Sequence, residues 1–390
     1  MKTIALAAAL TVAATTAVSA KERLHTLHVF SGVGEDGAAP QTPLLPDGAG
    51  NFYGATSDGG SAGLGTVFRL AADGSVTTIH EFAAGHGAAH PAGPMALTKD
   101  GSLFGQARSA DRKNAWVVFK LSPAGRESIV HRFRRGDPAG LWGGPGLVAG
   151  PHGAIYGAMT GGGAYDCGTV FRIDRGVTSV VHAFGGTAHD DGCRPSAAPI
   201  FDKAGNMYGV TYSGGVAAVG WEGTVYRIAP DGTETVLHTF NAVTDNGANP
   251  NARLAHDASG NLYGTTYRAQ TADSVAYRIV PDGTYSVMHA FPTYSGGAPY
   301  DGAMPTGGLI LDKRGNLYGA TEAGGLNLDG TVFKIAPDGT ERVLYSFGYG
   351  GAYPRAAPTL DADGNLLGTT TAYNDGHGYQ YGSVFELARK

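Results

Sequence analysis

The sequence is poor in charge and in sulfur. Lys, Arg, Asp and Glu make up 16% of its 390 residues, and the formal net charge is −5. No Lys/Arg cluster occurs anywhere along it. That excludes nucleic acid as a partner, because phosphate binding needs a concentrated basic surface. No Walker-type phosphate loop or dinucleotide fingerprint is present, and no cofactor is expected. Helical periodicity is missing beyond the first twenty residues, which argues against an α-solenoid. Past that point no apolar run is long enough for a transmembrane helix.

The opening "MKTIALAAALTVAATTAVSA" is the exception. Lys2, an alanine-rich apolar run and the small residues Val18-Ser19-Ala20 read as a signal peptide (1–20) cut after Ala20. An N-terminal anchor is the weaker reading, since the run is short and no lipobox cysteine follows. Losing Lys2 takes the charge from −5 to −6. The mature chain, 21–390, is expected to be secreted or periplasmic, without a membrane span, and monomeric. Only two cysteines exist, Cys167 and Cys193. In an oxidising compartment they are read as a disulfide, ahead of two free thiols and well ahead of a metal site.

Glycine, by contrast, contributes 63 residues, and it sits at fixed places. "GNFYGAT" begins at Gly50, "GSLFGQA" at Gly101, "GAIYGAM" at Gly153, "GNMYGVT" at Gly205, "GNLYGTT" at Gly260, "GNLYGAT" at Gly315 and "GNLLGTT" at Gly364. A period near fifty residues marks a repeat architecture. Each unit holds four short runs of β-branched and aromatic residues, with the first two and the last two joined by tight turns such as "DKRGN" and "APDG". Seven units of four antiparallel strands predict an all-β fold, a seven-bladed β-propeller. The last unit stops after its third strand, at 382–387, while an orphan fourth strand, "LHTLHVF", stands at 24–30. Joining them closes the ring and removes the open edges.

The unit "DxxGNLYGTT…GG…GTVFKI.PDGT…VLHxF" resembles the repeat of the bacterial GloVer-type proteins, named for Gloeobacter and Verrucomicrobia. The resemblance covers essentially the whole mature chain. It implies export, in some members with a C-terminal anchor that this chain lacks, and it carries no activity and no catalytic residues.

The most repeated residues read as scaffold. His28, His80, His131, His182, His238 and His289 recur in the fourth strand, where the seventh unit has Tyr345. Alternation places each beside the phenylalanine two places on, at an inter-blade position that needs one hydrogen bond. Tyr53, Tyr156, Tyr208, Tyr263 and Tyr318 read the same way, with Phe104 and Leu367 in their place elsewhere. "DGAAP" at 36–40 recurs as "DGCRP", "NGANP", "DGAMP" and "GGAYP". Its Asp36, Asp191, Asn246 and Asp301 are expected to open Asx-turns, with an axial cation site as the alternative. "DADGN" at 361–365 is a hairpin turn, since the calcium-loop glutamate is missing. "GGSAG" at 59–63 lacks the strand–elbow–helix context of a nucleophile, and "HGAAH" at 86–90 would need a helix to bind metal.

Function is therefore expected where the units differ, in the loops of one face. Aromatic residues such as Trp142 and Tyr165 gather there. The chosen ligand-binding candidates are Trp221, Arg268, Tyr300, Asp301, Tyr353, Arg355, His377 and Tyr379. Aromatic rings offer apolar faces to sugar C–H groups, and hydroxyls, Arg and Asp suit sugar hydroxyls. The leading expectation is a recognition module for an extracellular polysaccharide or glycan. A polysaccharide lyase (Tyr353 with Arg355, or Tyr267 with Arg268) or a hydrolase (Asp191 with Asp301) is the alternative. A cell-surface structural or protein-interaction module is the third.

Overall fold

The computed structural model describes residues 23–85, 87–111, 115–216, 221–241, 244, 247–267, 274–292, 300–348, 351–374 and 379–388. Its strands form seven antiparallel sheets arranged as the blades of a propeller. Blades 1 to 6 span 37–81, 88–132, 147–183, 192–239, 255–291 and 310–346. Blade 7 takes three strands from 359–388 and its fourth from Arg23–Val29, which pairs antiparallel with Ser383–Ala388 in the register Leu24↔Leu387. The expected closure is thus present.

One glycine per unit explains why the motif recurs. In blade 6, a Cβ on Gly319 would lie 2.4 Å from the Phe333 ring of the third strand. The same holds for Gly54, Gly105, Gly157, Gly209, Gly264 and Gly368 against Phe68, Phe119, Phe171, Tyr226, Tyr277 and Phe385. The tip of each ring lies over the second-strand glycine, and any side chain there would displace it. The same rings knit the blades together. Each fourth strand ends in a buried phenylalanine that meets the next blade's ring, from Phe30–Phe68 at 5.2 Å round to Phe347–Phe385 at 5.3 Å.

The DxxGN turn is a polar clamp. Asp312 accepts hydrogen bonds from the backbone and side-chain amides of Asn316 and from the Tyr318 hydroxyl, the last at 2.9 Å. Asp202 and Asp257 hold Tyr208 and Tyr263 in the same way. Burial opposes ionisation of Asp312, yet these donors hold its carboxyl at about 2. Those are the partners expected for the recurring tyrosines.

Two features differ from simple alternation. Every fourth strand carries a β-bulge at the residue before its His or Tyr, such as Leu237, which twists the outer strand across its neighbour. The "DGAAP" loop is an inter-blade clasp. Its residue before proline adopts the left-handed conformation (Ala39 φ 52°, Asn249 φ 56°, Tyr353 φ 57°). Its N–H is thereby aimed at a carbonyl of the preceding blade, as in Asn249 to Glu222 at 2.7 Å. The following proline then packs on a glycine, Pro250 over Gly223, where no side chain fits. Among the described residues no helix is long and apolar enough to cross a membrane.

Candidate functional site

The titratable groups of the repeat gather on the outer seams between blades. Four of the six fourth-strand histidines meet a carboxylate of the following loop: His28–Asp36 at 3.1 Å, His131–Asp137 at 2.8 Å, His182–Asp191 at 3.2 Å and His289–Asp301 at 3.3 Å. The other two meet the first residue of the next blade's outer strand, Glu127 against His80 at 3.3 Å and Tyr285 stacked on His238 at 4.4 Å. On two seams a second carboxyl group lies near the loop aspartate of the pair. Burial pushes Glu234 up to about 7, with His182 drawing it down and Asp191 adding to the rise. Burial and then Asp301 push Glu341 to about 7 as well.

This arrangement overturns the axial cation alternative for Asp36, Asp191 and Asp301, whose carboxylates face the outermost strand; Asn246 lies outside the described residues. Nor are Asp36 and Asp191 Asx-turns. They accept N–H groups from upstream, Ser31 at 2.6 Å and Gly185 at 2.9 Å. Among the described residues no group of three or more His, Cys, Asp or Glu could hold a metal ion.

The other predicted residues are dispersed. Trp221 (65% exposed) belongs to blade 4, and Tyr300 (73% exposed) precedes blade 6. Tyr353 is half-buried in the clasp before blade 7, its N–H on the Asp329 carbonyl at 2.9 Å. Arg355 donates to the Glu322 carboxylate at 2.6 Å, so its charge is already met. Asp301 is committed to His289, and Asp191 to a seam two blades away, which separates the supposed hydrolase pair. Arg268 and His377 lie outside the described residues. Tyr379 sits in the short strand Tyr379–Gln380, paired with Tyr373–Asn374, and its side chain is not described.

Two concavities bear on function. The first is a groove of about 1210 Å³ at blade 3, lined by Trp142, Tyr165, Leu141, Pro138, Arg135 and Asp166 among others. Trp142 and Tyr165 are half exposed, at 49% and 52%. Their loops are fixed. The Trp142 backbone bridges to Gly161, and its ring lies where a Gly161 side chain would be. Tyr165 packs on His189 with ring centroids 4.2 Å apart. Beside them the Cys167–Cys193 disulfide, Cα atoms 4.5 Å apart, joins the two loops that carry Tyr165 and His189. Both aromatics were visible in the sequence as loop residues; 23 positions and two separate loops hid that they share a groove.

The second concavity is the axial channel, about 530 Å³, lined by residues that precede or form the innermost strand of all seven blades. Its lining is neutral apart from Arg253, His256 and Arg355. Arg253 went unread in the sequence. It stands three places after its clasp proline, where other units have Pro43, Pro94, Ala198, Gly308 and Ala357.

A family model described as the Gloeobacter/Verrucomicrobia repeat matches residues 12–144 and 143–385. The chain belongs to this repeat family. None of the curated proteins matches it significantly. Among solved structures, a candidate 6-phosphogluconolactonase from Bacteroides uniformis is 17% identical, with 77% of this chain and 83% of that one covered and a TM-score of 0.50. The extracellular domain of a candidate one-component system from B. thetaiotaomicron is 12% identical over 91% of this chain and 41% of that one, with a TM-score of 0.55. At these identities the likeness is one of fold. Repeat-family membership accounts for the seams and clasps, which recur; the groove and Arg253 do not recur.

Proposed function

We propose that this repeat-family propeller is an exported carbohydrate-recognition module whose ligand lies in the blade 3 groove. The observation that carries the reading is the pair Trp142 and Tyr165, half exposed across a groove of about 1210 Å³ on loops locked by backbone bonds and a disulfide. Aromatic faces held in place stack on sugar C–H surfaces without first being ordered, which lowers the entropy cost of binding. Arg135 and Asp166 on the rim supply donors and acceptors for hydroxyl groups.

The test is retention on a panel of neutral and uronic polysaccharides, by affinity electrophoresis, with product chain length followed in parallel. Retention that Trp142→Ala or Tyr165→Ala reduces at least tenfold, without shortening of the polymer, is expected. Retention lost only in Trp221→Ala would move the ligand to blade 4. Time-dependent shortening would make the protein an enzyme, and neither retention nor cleavage would leave the protein-interaction reading.

A further inference from the structure

The axial channel contains a cation, Arg253, that faces no carboxylate among the described residues. Arg253 projects among inner-strand residues contributed by all seven blades. Water reaches it along the lumen, while the surrounding protein is dense enough that desolvation draws its guanidinium below the ordinary arginine range. It stays charged all the same, because a guanidinium does not lose its proton in proteins. Among the described residues no carboxylate pairs with Arg253, and no Asp or Glu lines the channel. Arg355, the other arginine of the lining, is satisfied by Glu322.

The charge is not required by the fold. The equivalent positions of five other blades hold Pro, Gly or Ala, and those blades close equally well. A cation that lines a concave lumen and faces no carboxylate there attracts an anion, because low-dielectric walls focus its field along the lumen. Around it runs a tier of neutral hydrogen-bonding groups, one place after four of the clasp prolines: Gln41, Ser196, Asn251 and Thr306. The Asn251 side-chain oxygen is buried there and has no partner among the described residues.

We infer that the channel is a binding site for a sugar acid, whose carboxylate pairs with Arg253 and whose hydroxyls meet the neutral tier that includes Asn251. A volume of about 530 Å³ admits a ligand of one or two sugar rings. The planar guanidinium matches a carboxylate through two parallel N–H donors. With Arg355 already met by Glu322, Arg253 is the arginine of the described lining that can pair with an anion, so the expected stoichiometry is one per chain. The site is separate from the blade 3 groove and does not depend on it.

The experiment is isothermal titration calorimetry of the purified protein with D-galacturonate, D-galactose and inorganic phosphate as probes. Galacturonate is expected to bind one per chain, with affinity reduced at least tenfold in Arg253→Ala. Galactose is expected to bind at least tenfold more weakly than galacturonate. Arg253→Ala places the residue of blades 4 and 7 at this position, so an unaltered melting temperature is expected and certifies its fold. No galacturonate binding, or equal binding by wild type and Arg253→Ala, overturns the site. Binding of phosphate in place of galacturonate overturns the sugar-acid assignment.

Discussion

Gly319 and its six counterparts carry aromatic rings at contact distance, so an added methyl has nowhere to go. Gly319→Ala is expected to cost roughly 1–3 kcal/mol through overpacking, read from urea denaturation. The tyrosines divide into two kinds. Tyr318 donates its hydroxyl to Asp312, and Tyr318→Phe is expected to lose about 1 kcal/mol. Tyr226 and Tyr277 are phenylalanine in the other blades, and their buried hydroxyls have no partner among the described residues. Tyr226→Phe and Tyr277→Phe are therefore each expected to gain on the order of 1 kcal/mol by the same measurement. Equal losses in all three would show that the hydroxyl environments have been misjudged. The sequence allowed one hydrogen bond per repeated tyrosine. It was silent on these two, because the pattern shows where a ring recurs and not what its tip faces.

Between elements, the outer seams link blade packing to pH. Glu234 and Glu341 keep their protons up to about 7 in the folded protein, against an ordinary value of 4.5. Between these values the native state binds more protons than the unfolded state, so stability falls as pH rises from 4.5 to 7 and levels off above. The double variant Glu234→Gln, Glu341→Gln is expected to lose most of that slope, seen in melting temperatures taken every half pH unit. An unchanged slope would assign it to other groups. The clasp makes a second element-scale prediction. Ala39→Gly relieves a left-handed backbone and is expected to stabilise by about 0.5–1 kcal/mol in urea denaturation while keeping the N–H bond to the Tyr381 carbonyl. Neither device was legible as such. The recurring Asp before Gly-Pro suggested a local turn, whereas its carboxylate and the clasp N–H act across space.

For the molecule as a whole, closure and the disulfide matter most. Deleting Arg23–Val29 leaves Ser383–Ala388 as an open edge and uncovers the blade 7 core. The truncated chain is expected to aggregate, with loss of a single cooperative transition in calorimetry. The Cys167–Cys193 bond closes a 26-residue separation, and Cys167→Ala with Cys193→Ala is expected to cost about 3 kcal/mol. By itself the sequence determined the number of blades, the strand order, the closure and the cysteine pair, because period, turn glycines and complementary ends are properties of the chain read locally. The tertiary structure alone decided which loop residues come together. Trp142 and Tyr165 line one groove, Arg355 is neutralised by Glu322, and Arg253 has no carboxylate partner among the described residues, since a ring brings its seven inner edges together from positions some fifty residues apart.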